Sequence, residues 1–127
     1  MIKKINIKTN KRNEIIDITN LIDPLIENGF IIIHVPHTTC AITINESADP
    51  DVKSDFLKKL NSLIPEHENY KHIEGNSDSH IKTSLVGNSI TLIVDKKNLV
   101  LGTWQSIWFC EFDGPRNRNI ILKYFEN

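Results

Sequence analysis

Short strand-patterned segments recur along almost the whole chain, and this repetition most restricts the folds open to it. Residues 2–8 alternate apolar and polar, with Ile5 and Ile7 on one side, as a half-buried strand does. Similar patterning recurs at 14–18, 30–35, 40–45, 89–94, 99–101, 103–112 and 119–125, and in 40–45 the side chains of Cys40, Ile42 and Ile44 share a face. The segment at 14–18 reads as the return of the first strand, and 95–98 as the turn between two later ones. Helical signals are fewer and short. Thr19 offers an N-cap to a helix carrying Leu21, Leu25 and Ile26 that Gly29 closes, with Pro24 keeping it short or distorted. Asp49-Pro50-Asp51 is a strong helix start, followed by Val52, Phe56, Leu60, Leu63 and Ile64 at helical period and stopped by Pro65. A third, two-turn helix carries Ile81, Leu85 and Val86, with Ser77 or Asp78 as its cap and Gly87 at its end. This order predicts an α+β fold of mostly antiparallel, sandwich-like sheets with about three short helices, in one domain spanning 1–127.

Length and charge narrow the function classes. At 127 residues the chain can bury a core without staples. Fifteen basic residues nearly balance sixteen acidic ones, leaving a formal charge of −1, so no basic field exists to bind nucleic acid. The start, MIKKINIKTN, has no apolar signal-peptide core, and no stretch approaches the roughly 20 apolar residues that span a bilayer. Cys40 and Cys110 lack metal or redox spacing, so buried free thiols in a cytoplasmic protein are expected, with no nucleic-acid or membrane partner. Neither a GxGxxG nor a P-loop is present.

Three constellations carry chemistry. In HTTCAITINE, His37, Thr38 and Thr39 sit in a loop between two apolar strands, where the hydroxyls either cap backbone groups or donate to a phosphate. Glu46 ends the second of these strands, and a hairpin would hold it apart from His37. Alone, His37 reads as an edge-strand histidine bonded to backbone. In HIEGNSDSHIK, His72 and His80 flank Glu74, Gly75 and Asn76, within a polar, irregular stretch at 66–79 whose length itself suggests function. Imidazole and carboxylate ligate divalent metals, although hydrogen bonding is the commoner use of such loop histidines. In LGTWQSIWFCEFDGPRNR, Trp104 and Trp108 share a strand face, and stacking on a heterocycle competes there with ordinary core packing. Asp113-Gly114-Pro115 is a turn, and Arg116 and Arg118 beyond it fall on one side of an extended chain, as a guanidinium clamp for phosphate or as an exposed salt-bridged pair.

Taken together, His37 through Asp51, His72 through His80, and Gly102-Thr103-Trp104-Gln105 with Glu111 through Arg116 resemble the YjbQ-like family over nearly the whole chain. The resemblance implies a compact α+β fold, a homotrimer with sites near subunit boundaries, and a secondary thiamine-phosphate synthase activity. That reaction joins an aminopyrimidine methyl pyrophosphate to a thiazole phosphate and releases pyrophosphate. Two positions depart from the family pattern: a small residue is usual at Cys40, and a glycine at Lys97. On this reading a divalent metal (zinc, manganese or magnesium) sits on His37, His72 and His80, and Glu46 is the base or orients those ligands. Arg116, Thr38 and Thr39 hold phosphate, Trp104 packs on the heterocycle, and Asn76 and Gln105 orient polar groups. A metal-dependent hydrolase built on the same residues and a non-enzymatic trimeric scaffold are the alternatives.

Overall fold

The computed structural model describes all of residues 1–127. Its strands are β1 (Ile2–Lys8), β2 (Glu14–Asp17), β3 (Gly29–His34), β4 (Cys40–Glu46), β5 (Ser89–Asp95), β6 (Asn98–Leu99), β7 (Gln105–Glu111) and β8 (Asn117–Glu126). Helices α1 (Pro50–Leu63) and α2 (Ser77–Val86) separate β4 from β5 along the chain. Every pairing is antiparallel, in a five-stranded sheet ordered β1-β8-β3-β5-β6 and a three-stranded sheet ordered β2-β7-β4. The α+β reading of the sequence is what the chain adopts.

Alternation builds the layers. Ile31 and Ile33 of β3, Leu92 and Val94 of β5, and Ile120 and Leu122 of β8 meet Cys40 and Ile42 of β4 and Ile107 and Phe109 of β7 in one core between the sheets. The other face of the three-stranded sheet presents Ala41, Trp108 and Cys110, with Phe112 just beyond β7, to Val52, Phe56, Leu57 and Leu60 of α1. Central β7 is therefore covered on both faces, which accounts for its unbroken apolar run. Trp108 belongs to this packing, edge-on to Phe56 with ring centroids 5.5 Å apart. Helix α1 starts as its sequence predicts: the Asp49 carboxylate accepts the Asp51 N–H at 2.9 Å, with Pro50 at the first helical position.

Three expectations are corrected. Segment β2 does not return beside β1; it pairs with β7 in the other sheet. The helix expected after Thr19 shrinks to one 3-10 turn, Thr19–Leu21. Pro24 disfavours helical backbone at Asp23, and Leu25 takes φ 58°, outside the helical range. Thr19 instead donates its hydroxyl to Asp17 Oδ1 at 2.6 Å and accepts the Ile107 N–H at 2.8 Å. Helix α2 turns its apolar residues outward: Leu85 is 69% exposed and Ile81 is also exposed, while Asp78, Ser79, Lys82 and Thr83 are buried. Its docking face is a polar network. The Asp78 carboxylate takes Lys82 Nζ at 2.9 Å and Arg12 Nη2 at 3.0 Å, Lys82 also donates to Asn61 Oδ1 at 2.6 Å, and Ser79 donates to the Phe112 carbonyl at 2.6 Å.

Both cysteines are buried and unpaired, as expected. In the β4–β7 register Cys110 lies opposite Ala41 and Cys40 opposite Glu111, so the two thiols project from opposite faces of the sheet.

Candidate functional site: a two-walled polar cavity

Strands β3 and β4 belong to different sheets, so the chain between them must step across from one to the other. That step, residues 35–39, carries His37, Thr38 and Thr39. Asn88 pins it, donating from Nδ2 to the His37 carbonyl at 2.9 Å and the Val35 carbonyl at 3.3 Å. The crossing faces the 72–76 loop, the start of α2 and the turn between β7 and β8. Together they enclose a cavity of about 480 Å³, with Pro36, His37, Thr38, Thr39, His72, Glu74, Asn76, His80, Asp113, Arg116 and Arg118 in its lining. None of these is a large apolar side chain.

One wall is rich in donors. Arg118, 5% exposed, gives Nε to Glu111 Oε1 at 2.8 Å and Nη2 to Glu111 Oε2 at 2.6 Å and Thr39 Oγ1 at 2.8 Å. This bidentate fork leaves Nη1 unengaged. Glu111 also accepts the Thr9 hydroxyl at 2.7 Å and the N–H groups of Phe112 and Asp113 at 3.1 and 3.0 Å. Burial alone would raise its carboxyl, but the bonds from Arg118, Thr9 and the Asp113 N–H, with the Arg118 charge, hold it below the ordinary carboxylate range. Arg116 is tied to Asp113, through Nε to the carbonyl at 2.8 Å and Nη2 to Oδ2 at 3.0 Å, and likewise keeps Nη1 unengaged. His37 Nε2 accepts the Asn119 N–H at 3.0 Å. Burial, with the Arg118 charge second, lowers this imidazole below its usual value, so near neutrality the ring is uncharged and its proton sits on Nδ1. The expectation that His37 bonds backbone is met.

The facing wall is rich in acceptors. Asn76 precedes α2, and the positive end of that helix lies beside the cavity. Its Nδ2 donates to Glu74 Oε2 at 2.9 Å and Asp113 Oδ2 at 2.8 Å. His72 and His80 meet edge to face, centroids 5.2 Å apart.

Seven of the residues expected from sequence thus converge: His37, Thr38, Thr39, His72, Asn76, His80 and Arg116. Glu46, Trp104 and Gln105 do not. Glu46 pairs with Gln105 at the far end of the β4–β7 ladder, six residues or about 20 Å from Cys40. There Trp104 is 65% exposed, and Gln105 Oε1 accepts the Gly102 N–H at 2.8 Å. The donor set does not fit a three-histidine metal centre. His37 Nε2 is already an acceptor and its other nitrogen holds the ring proton, and no three His, Cys, Asp or Glu side chains gather closely enough to hold an ion. Sequence reading named Glu111 and Asp113 within a motif but gave no site role to either, although they are the carboxylates that set the two arginines. A charge inside WFCEF, on a strand otherwise apolar on both faces, was the available signal, since a buried carboxylate needs a partner.

One rigid glycine completes the turn. A Cβ on Gly114 would collide with the Lys11 carbonyl oxygen and come within 2.9 Å of Glu111 Cγ and Thr9 Oγ1. The Gly114 N–H in turn donates to the Arg12 carbonyl at 3.0 Å, which ties the turn to the β1–β2 loop.

Fold and cavity together define a class: small two-sheet α+β proteins with a charged cavity where the chain crosses between sheets. The chain belongs to the UPF0047 family of YjbQ-like proteins, whose sequence model matches residues 3–127. It is 52% identical over 128 residues to the UPF0047 protein MJ1081 of Methanocaldococcus jannaschii, covering 97% of this chain and 93% of that protein. The UPF0047 protein YugU of Bacillus subtilis is 50% identical over 129 residues, with 97% and 98% covered. Among solved structures, an uncharacterised YjbQ/UPF0047 protein of Clostridium acetobutylicum superposes with a TM-score of 0.94 at 45% identity, covering 97% of this chain and 99% of that one. The hypothetical protein APE1520 of Aeropyrum pernix gives 0.94 at 31% identity, with 100% and 99% covered.

Proposed function

We propose that the cavity binds a phosphorylated small molecule in the cytoplasm, and that the chain is a transferase of the thiamine-phosphate synthase type, this being a secondary activity. The observation that carries the reading is the donor wall. The free Nη1 groups of Arg116 and Arg118, the His37 Nδ1–H and the hydroxyls of Thr38 and Thr39 all line one cavity that offers no large apolar surface. Such groups, fixed in advance by Glu111 and Asp113, suit the spread charge of a phosphate or a departing pyrophosphate. A divalent ion brought by the substrate would be held by His72 and His80 and would neutralise charge on the leaving pyrophosphate.

Glu46, Trp104 and Gln105 enter through self-association. In a homotrimer, the far end of one copy's β4–β7 ladder completes the cavity of the next, with Trp104 on the heterocycle, Gln105 orienting it and Glu46 as base. The exposure of Trp104 and the polar lining of the cavity, which lacks a stacking surface of its own, favour this arrangement.

Titration calorimetry with inorganic phosphate tests the anion site. Arg116→Ala is expected to weaken binding about tenfold or more, the loss of one charge-assisted bond; unchanged affinity removes Arg116 from the reading. Product analysis tests the reaction, because coupling of a pyrimidine pyrophosphate to a thiazole phosphate distinguishes a transferase from a hydrolase that releases product from either substrate alone. Mixed subunits test the shared site. His37→Ala and Trp104→Ala chains, inactive separately, are expected to recover about a quarter of wild-type activity when refolded together at random. No recovery places each site within one chain.

A further inference from the structure

The donor wall is fixed by Glu111 and Asp113, but the wall facing it is joined to the fold at few points. Residues 71–75 are all exposed, and no backbone hydrogen bond ties them to a strand or a helix. They are held by the Glu74 carboxylate on the Asn76 amide and by the His72 ring against His80. Gly75, at φ 88° with open space where a Cβ would stand, leaves the backbone free to turn. His72 and Glu74 line the cavity, whereas Ile73 between them is 100% exposed. Few contacts, a glycine pivot and an apolar side chain turned out to water mark a segment that moves readily.

Asn76 connects this segment to the anion site. One Nδ2 hydrogen goes to Glu74 and the other to Asp113 Oδ2, the same oxygen that accepts from Arg116 Nη2. Asn76 Oδ1 is buried without a partner and out of reach of the cavity, so the amide sits here with its own oxygen unsatisfied. A movement of the loop that brings this oxygen a donor removes that penalty. An anion on Arg116 competes with Asp113 for the guanidinium, and Asn76 is then the one side chain left bonded to the Asp113 carboxylate.

We propose that residues 71–75 are a lid that pivots at Gly75 and closes on the donor wall when an anion occupies Arg116, with the Asn76–Asp113 bond as its latch; the proposal rests on the anion reading above. Closure turns Ile73 over the mouth of a cavity that has no large apolar side chain of its own. Water is thereby kept from a pyrophosphate-bearing substrate, which favours coupling over hydrolysis. The link is reciprocal, so a closed lid also retains the anion.

Thiol reactivity reads the position of the lid. Cys40 and Cys110 are buried, so Ile73→Cys adds the one exposed thiol in the native chain. Its rate with N-ethylmaleimide, an uncharged reagent, is measured in the full-length protein with and without inorganic pyrophosphate, whose binding is followed by titration calorimetry. A lid closed about nine-tenths of the time slows the reaction about tenfold. Ser54→Cys, at an exposed position of α1, is expected to keep its rate. In the Ile73→Cys chain, Asn76→Ala is expected to reduce the protection to about threefold or less while pyrophosphate still binds. Glu74→Ala cuts the same link at an exposed position, is expected to act alike, and decides alone if Asn76→Ala does not fold. Unchanged reactivity at saturating pyrophosphate, equal slowing of Ser54→Cys, or full protection kept in either folded latch variant overturns the proposal and leaves the anion site standing. A wild-type protein that binds no pyrophosphate overturns both.

Discussion

Glu111 illustrates how one side chain is fixed by the demands of several others. Its two oxygens accept from Arg118, Thr9 and two backbone N–H groups. Removing one member of such a buried pair strands the other. Arg118→Met is accordingly expected to lower unfolding free energy by about 3 kcal/mol in urea titrations, more than Arg116→Met, whose pair with Asp113 is half exposed. The pH dependence follows from the direction of the shift. The folded Glu111 carboxyl lies below its unfolded value of 4.5, so its stabilisation is complete above that value and is lost as pH falls through the folded one. Arg118→Met removes the cation that depresses it, so the part of the acid loss of stability that Glu111 contributes is expected to shrink, and the stability curve to flatten below that value. The thiols give a simpler check. Burial pushes both Cys40 and Cys110 up to about 12, so neither should react with an aromatic disulfide reagent in the native protein, and both should react after denaturation.

The elements divide by what holds them in place. Strand patterning and the Asp49-Pro50 start were legible because alternation and capping are local signals, and β3, β4, β5, β7 and β8 all appear where the sequence puts them. Helix α2 was legible as a helix but not in its orientation. The apolar stripe of Ile81 and Leu85 pointed the wrong way, because the buried face is a charge network whose members lie far apart in sequence, at 12, 61, 78 and 82. Two substitutions separate its parts. Asp78→Ala strands a buried lysine and an arginine and is expected to cost about 3 kcal/mol or more, whereas Lys82→Met leaves Asp78 paired with Arg12 and is expected to cost well below that. At the β5–β6 turn, Lys96 and Lys97 have φ of 50° and 66°, the left-handed pair that a two-residue hairpin requires. Lysine tolerates that region poorly. Replacing the pair by Asn-Gly is expected to raise stability by about 0.5–1 kcal/mol, measurable as a shift in the thermal midpoint.

Across the whole molecule, the candidate residues collect at two poles of one ladder. The crossing between sheets gathers His37, Thr38 and Thr39 with Asn76 and Arg116 at one end of β4, while Glu46, Gln105 and Trp104 occupy the other. Sequence could place each motif on its strand. It could not show that β3 and β4 part company into separate sheets, which is what turns the intervening loop into a wall of the cavity. The identity of the motif residues was therefore readable, but their partition was not, since partition depends on strand order and strand order depends on contacts remote in sequence. The same architecture predicts the ranking of hydrogen exchange. Amides of β7, covered on both faces, should exchange last and those of the exposed 66–75 loop first, and a mass-spectrometric exchange course would check this.

For anyone wishing to redesign the cavity, Gly114 divides the positions worth randomising from those best left alone. Side chains at 38, 72 and 74 project from loops with room to change, and a library there alters the ligand without touching the frame. Any side chain at 114 would drive the Lys11 carbonyl outward and carry Arg12 with it, and Arg12 holds Asp78 at the start of α2. A single methyl group at that turn would thus reshape the opposite wall of the cavity, which makes position 114 the anchor from which any new specificity must be drafted.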